Sequence, residues 1–308
     1  LAPIIESLKL ENDVETRTLD ISVLHNPPYS NTPKGIPSYA SEIVDWADVV
    51  FVEWANAEAA WFVDLLPESK KVVVRLHSFE LLNKFPLFFD WGKIDDLICV
   101  SKHNILRVKE VLDLQSYKCR THVLGNFLEV DEYLKPKSSS ASKTLGLVGY
   151  GRKVKRPDLA LDLLEELLKN DETWKLKLVG KEPSHSKEIL YFEEFFARAT
   201  PYIEEGKIII TSWVDGISSW LQDIGVILSC SDREGTHEAC REGLASGSIG
   251  VIRQWPWAKN YGGTVELFPD SYHWDNIFEA AKYIESFKSS EELHQQGKRE
   301  QRAFLERE

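Results

Sequence analysis

Val226-Ile227-Leu228-Ser229-Cys230-Ser231-Asp232-Arg233-Glu234-Gly235-Thr236-His237-Glu238-Ala239-Cys240-Arg241-Glu242 is the stretch on which the reading of this chain turns. It opens with a short, continuous apolar run, the pattern of a parallel strand buried on both faces. It continues through a polar loop into a helix expected over residues 238–245. Backbone N–H groups at a helix N-terminus bind phosphate without side-chain help. Gly235 removes a side chain where a ligand can approach closely. Thr236 or His237 begins the helix, and Glu238, Arg241 and Glu242 lie on related turns. Glu234 belongs to the mouth of the loop and Glu242 to the helix further in. A carboxylate there accepts hydrogen bonds from vicinal hydroxyls of a sugar or a ribose. The bland alternative is a solvated Glu242 paired with Arg241 or a lysine.

The same alternation extends in both directions. Ahead of the segment, strands are expected at residues 144–148, 174–179 and 208–210, with helices at 159–168 and 189–199. Behind it, Val251-Ile252 is a further strand, and residues 274–308 read as helical and heavily charged. In the first half, residues 4–10 read as weakly helical and 14–23 as a strand approach broken by Asn26-Pro27-Pro28. Residues 29–39 read as a loop, 54–66 as a helix ending at Pro67, and 49–52, 72–76 and 97–100 as strands. Ser101 is placed to cap the next helix, and Val123-Leu124 begins a last short strand. Strands alternating with helices imply parallel sheets in both halves, and ligands gather at the C-terminal ends of such strands.

A chain of 308 residues exceeds the size at which one core usually stops growing, so two domains are expected. The run Pro136-Lys137-Ser138-Ser139-Ser140-Ala141-Ser142 has the composition of a linker. The boundaries expected are therefore a first domain over residues 1–136, a linker over 137–143 and a second domain over 144–308. Two such domains leave a cleft between them. Net charge is -12, which argues against a general nucleic-acid binder, although a local basic cluster can still meet a small phosphate ligand. No apolar stretch approaches the roughly 18 residues of a spanning helix. The four cysteines include no CxxC pair. They read as buried thiols rather than zinc ligands, and a reducing, cytoplasmic setting fits. The chain has no methionine and opens on Leu1-Ala2-Pro3, so residues are expected to be missing at its start and within it.

A second constellation, Gly149-Tyr150-Gly151-Arg152-Lys153-Val154-Lys155-Arg156, follows the strand at 144–148 directly. Two glycines and four cations at a strand end suit a pyrophosphate, with Arg as a planar fork and Lys as a mobile point charge. The alternative is a basic loop whose glycines serve the turn. The spacing fits neither GxxxxGK[ST] nor GxGxxG, so NAD binding is poorly supported. His77 stands just past the strand at 72–76, where it can donate to a phosphate or a sugar hydroxyl, or simply cap and pack. His25 holds a similar position with weaker support. Trp46, Trp54, Trp61, Trp255 and Trp257 offer faces for sugars or bases, but each is also a core candidate.

These residues resemble a known family. Residues 223–235, followed by Glu242-Gly243-Leu244-Ala245-Ser246-Gly247 and Val251-Ile252, look like the retaining glycosyltransferases of family 4. Their hallmark of two glutamates separated by seven residues is matched by Glu234 and Glu242. Residues 148–158 resemble that family's basic loop with a small shift between the two cations. The likeness is specific in the second half and diffuse in the first.

The resemblance implies the α/β GT-B architecture, two Rossmann-like domains facing across a cleft. The last helix would reach back to the first domain. It implies a retaining transfer of a sugar from a nucleotide-diphosphate donor, with no metal and no cofactor beyond the donor substrate. Glu234 would contact the transferred sugar and Glu242 the ribose. Arg152 and Lys155, with Gly149 and Gly151, would hold the leaving diphosphate. Backbone groups of Gly235, Thr236 and His237 would bind phosphate, and His77 would contact the donor sugar or support the transition state. The acceptor would be a glycan, a lipid-linked group or a protein, with peripheral membrane contact as in many relatives. A GT-B epimerase or phosphorylase, or an inactive GT-B protein, is the alternative. Three features depart from the family pattern. Its glycine-rich loop after the first strand has no counterpart here, Asn126-Phe127 replaces Asn-Gly, and Trp255-Pro256-Trp257-Ala258 stands where smaller, more polar residues are usual.

Overall fold

The computed structural model describes residues 2–10, 14–21, 36 and 38–307. His25, Asn26-Pro27-Pro28 and most of the loop expected at 29–39 lie outside the described residues. The chain divides into two compact units, Leu1–Phe127 and Leu128–Glu308.

The first unit contains α1 (Ala2–Leu10), α2 (Ser38–Trp46), β1 (Val49–Glu53), α3 (Ala57–Leu65), β2 (Lys71–Leu76), β3 (Asp96–Cys99), α4 (Lys102–Val111) and β4 (Arg120–Val123). The strands form one parallel sheet in the order β1-β2-β3-β4. Val52, Val72, Val74, Leu76, Leu97 and Cys99 pack with Ala40 and Val44 of α2, Phe62 and Val63 of α3, and Val108 of α4. No strand forms over the described residues 14–21. The helix expected from Trp54 begins later, at Ala57, because Asn56 caps it by accepting from Ala59 N at 2.9 Å. Ser101 occupies the N-cap of α4, but its hydroxyl faces His103 Nε2 at 3.3 Å and makes no cap bond. The last strand ends at Val123 rather than beginning there.

The second unit contains β5 (Thr144–Val148), α5 (Pro157–Leu168), β6 (Lys175–Val179), α6 (Ile189–Glu204), β7 (Ile208–Thr211), α7 (Ser218–Leu221), β8 (Val226–Ser229), α8 (Glu238–Ala245), β9 (Ile249–Arg253), β10 (Tyr272–Trp274), α9 (Ile277–Glu285) and α10 (Ser290–Leu305). Its parallel sheet runs β10-β9-β8-β5-β6-β7. Alternation along β8 shows how both faces are covered. Val226 and Leu228 join the core under α5, α6 and α9. Ile227 joins the opposite core with Leu221 of α7, Cys240 and Leu244 of α8, and Phe304 of α10. Both faces are dry, so the strand reads as a continuous apolar run.

The unit boundary falls ahead of the serine-rich segment. Tyr133 is buried in the α8 core, and Ser138 N donates to Gln222 O at 2.9 Å. Lys137 Nζ donates to Leu221 O, Ser246 Oγ and Ser248 Oγ, each at 2.8 Å. Residues 137–143 are thus fastened to the second unit. The last helix, α10, packs on α8 and β9 of its own unit.

Candidate functional site

The order of the second sheet fixes where a ligand belongs. From β5 the chain builds outward through β6 and β7, then returns to β8 and builds the other way through β9 and β10. The direction reverses between β5 and β8, and such a switch point opens a crevice at the strands' C-terminal ends. The loop after β5 is the basic segment 149–156, and the loop after β8 is 230–237. Both sequence constellations therefore flank one crevice.

Backbone and side-chain contacts tie the loops together. Asp232 N donates to Val154 O at 2.9 Å. Lys155 Nζ donates to Glu234 Oε1 at 2.6 Å, an oxygen that also accepts from Ser231 Oγ at 2.6 Å. The Glu234 side chain is only 14% exposed. Burial opposes its charge, but Lys155 above all holds the carboxyl below its ordinary range, so Glu234 is ionised at neutral pH.

Glycine is required twice in the basic loop. Gly149 has φ +81°, the left-handed region. A Cβ on Gly151 would stand 2.0 Å from Lys181 O, closer than any side chain allows. The four cations after them separate. Lys155 meets Glu234. Arg156 binds Asp158 and reaches Asp232 at 3.3 Å. Lys153 lies over the Tyr191 ring. Arg152 is 59% exposed, with its nearest carboxylate, that of Glu188, at 3.8 Å. Arg152 and Lys155 thus turn to different partners, Glu188 and Glu234.

At the start of α8, His237 takes a left-handed conformation, φ 56° and ψ 70°, and forms the N-cap with no side-chain cap bond. Its ring is turned inward, with Nδ1 2.7 Å from Cys240 Sγ and an edge contact to Trp255. Burial pushes its pKa down to about 4, so the ring is neutral. Nε2 lies 3.4 Å from Glu234 Oε1 without making a hydrogen bond. His237 therefore offers a ligand its backbone rather than its imidazole. Thr236 Oγ1 donates to Glu238, which also pairs with Arg241 at 2.8 Å. Further along α8, Glu242 Oε1 accepts from Tyr133 OH at 3.0 Å, and burial raises its pKa. Arg241 is paired elsewhere, so the bland pairing expected for Glu242 gives way to Tyr133. Trp255 is fully buried, donating Nε1 to Ser229 Oγ at 2.8 Å, and so serves the core.

Three neighbours were not singled out in the sequence. Asp232 accepts from Arg253 at 2.7 Å as well as from Arg156, and Tyr133 supports Glu242. Arg253 ends β9, so a charged residue closing an apolar strand was the signal for it. Nothing local marks Tyr133, whose partner is remote in sequence.

In the first unit His77 follows β2, and its Nε2 lies 2.8 Å from Glu53 Oε1 at the end of β1. The Trp54 indole stacks on the imidazole, with centroids 4.1 Å apart. Cys99, Cys119, Cys230 and Cys240 are all free and buried. Burial lifts the thiols, that of Cys99 to about 12 and that of Cys119 to about 11. Among the described residues, no group of three or more His, Cys, Asp or Glu is placed to hold a metal ion.

No family model and no curated protein matches this sequence. Solved structures do. Staphylococcus aureus TarM, in a variant complexed with fondaparinux, alpha-GlcNAc-glycerol and UDP, matches with a TM-score of 0.61 at 17% identity, over 77% of this chain and 48% of that one. HepE of Anabaena in complex with UDP matches at 0.65 and 15% identity, over 87% and 77%. The E. coli trehalose-6-phosphate protein bound with UDP-2-fluoro glucose matches at 0.65 and 12% identity, over 87% and 72%. The fold is GT-B, built from two Rossmann-like α/β domains. The chain spans about half the length of TarM.

Proposed function

We propose that this chain is a glycosyltransferase that takes its sugar from a nucleoside diphosphate donor, UDP-linked in the first instance, and retains the anomeric configuration. The observation that carries the reading is the Lys155–Glu234 pair across the β5/β8 switch point. A half-buried cation and a half-buried anion at that place suit a ligand with a diphosphate on one side and sugar hydroxyls on the other. The UDP and UDP-sugar complexes of the similar structures support the choice of donor.

In this reading Lys155, Arg152 and the N–H groups at the start of α8 meet the diphosphate, and Gly149 and Gly151 let the backbone approach it. Glu242 accepts from the ribose hydroxyls and Glu234 from the sugar. The bond from the anomeric carbon to the phosphate oxygen breaks while the acceptor oxygen bonds to that carbon from the same face. The acceptor's proton passes to the leaving phosphate, so no carboxylate acts as nucleophile. The pairing of Glu234 and Glu242 favours assignment to family 4. A glycan, lipid-linked or protein hydroxyl is the acceptor class, and a cytoplasmic setting, with the membrane surface near for a lipid-linked acceptor, suits it.

Glu234→Ala tests the role. Turnover of a UDP-sugar should fall by a factor on the order of 100 or more while UDP still binds. Undiminished turnover would remove Glu234 from the reaction. Isomerisation of the donor in place of transfer would make the chain an epimerase.

A further inference from the structure

The end of β1 holds a cluster that the proposed transfer chemistry does not explain. Glu53 Oε1 receives both His77 Nε2, at 2.8 Å, and Arg75 Nη1, at 3.2 Å. Arg75 Nη2 continues to Asn126 Oδ1 at 2.6 Å and Gly125 O at 3.1 Å. Glu80, fully buried, accepts from the backbone N–H of His77 at 3.2 Å and of Ala55 at 3.0 Å. The residue after Glu53 is Trp54, at φ +71°. A bulky side chain rarely adopts that backbone, and it persists only where the surroundings over-determine it. Here the conformation puts the indole flat on His77, at an interplanar angle of 23°, while Trp54 stays 47% exposed.

Glu53 and Trp54 thus grip one ring, the first by its edge and the second by its face. Burial opposes the Glu53 charge, but the bond to His77 and the Arg75 charge together hold its carboxyl below the ordinary range. An ionised carboxylate only accepts, so the proton between Glu53 and His77 sits on Nε2. In a neutral imidazole this leaves Nδ1 as an acceptor, and Nδ1 has no partner among the described residues.

We propose that Glu53 is a positioning residue that fixes His77 in the Nε2–H tautomer, with Trp54 clamping the ring, so that Nδ1 is presented as an acceptor for a ligand hydroxyl. Only the naming of that hydroxyl, as one on a transferred or accepting sugar, rests on the transfer reading. The assignment reverses the simplest expectation for His77. A neutral ring held this way does not donate to a phosphate. It accepts from an O–H.

Long-range proton–nitrogen NMR of the full chain reads the tautomer directly, with the His77 signals identified by their loss in His77→Gln. The unaltered protein should show Nε2–H and a bare Nδ1 for the neutral ring, and Nδ1–H would overturn the proposal. In Glu53→Gln, whose amide can donate as well as accept, the preference should collapse toward a mixture, and an unchanged signature would overturn the proposal too. Glu53→Asp should keep the parent tautomer. With a UDP-sugar, Glu53→Gln should lower kcat about tenfold or more while donor KM moves less than about twofold, and an unchanged kcat counts against the positioning role. The NMR arm contains no sugar nucleotide. A failure there is therefore distinct from a failure of the transfer reading, and the unaltered protein decides the first point even if Glu53→Gln does not fold.

Discussion

Lys155 Nζ lies 2.6 Å from Glu234 Oε1, joining the loop after β5 to the loop after β8. Both side chains are largely buried, at 22% and 14% exposure. Removing one member of such a pair strands the other charge, at a cost on the order of 3 kcal/mol, whereas removing both costs less. Urea unfolding should therefore rank Lys155→Met below Lys155→Met/Glu234→Gln in stability. Additive losses would show that the two side chains do not act as a pair.

Tyr133 tempers the effect of burial on Glu242. Burial raises the Glu242 carboxyl, and the Tyr133 hydroxyl opposes the rise by donating at 3.0 Å. Tyr133→Phe should lift the carboxyl further. If ionised Glu242 accepts from ribose, UDP affinity should fall on acidification, and in Tyr133→Phe that fall should begin at a higher pH. Superimposable affinity–pH curves for parent and variant would contradict the ribose role.

Glu300 sets a pH dependence of stability away from the site. It is 2% exposed on α10 and accepts from Gly250 N at 2.8 Å. Burial pushes its pKa up to about 7 from 4.5. Between those values the folded chain holds a proton that the unfolded chain has lost, so this stability is full below about pH 4.5 and is lost as pH rises through about 7. Glu300→Gln carries no such titration. Its stability relative to the parent should rise by on the order of 3 kcal/mol between pH 4 and 8 in denaturant unfolding. A constant difference across that range would mean that Glu300 titrates normally.

The sequence announced the second unit far better than the first. Ranges 226–228 and 238–245 stood out because β8 is dry on both faces and α8 follows directly after a polar loop. The edge strand β10 is too short, at three residues, for a period to show, and in α2 the helical spacing of Ala40, Ile43 and Val44 follows directly on a run rich in Pro, Ser and Asn that reads as loop. The serine-rich segment read as a linker because composition cannot reveal that the Lys137 ammonium is held among carbonyl and hydroxyl acceptors. At the site, Glu234, Lys155 and Glu242 were legible by type and spacing. What the sequence could not divide was the basic loop, where the partners Glu188, Tyr191, Glu234 and Asp232 come from distant segments and send the four cations different ways. Nor could it foresee the inward turn of His237, which depends on a left-handed backbone at the helix start.

On the proposed function, the β5/β8 crevice holds the diphosphate of a nucleotide sugar. Calorimetric titration of the full chain with UDP and with uridine tests it most directly, repeated on Lys155→Ala. UDP should bind saturably, uridine should bind more weakly by a factor on the order of 10 or more, and Lys155→Ala should abolish that preference. Equal binding of UDP and uridine, or a preference untouched by Lys155→Ala, would contradict it.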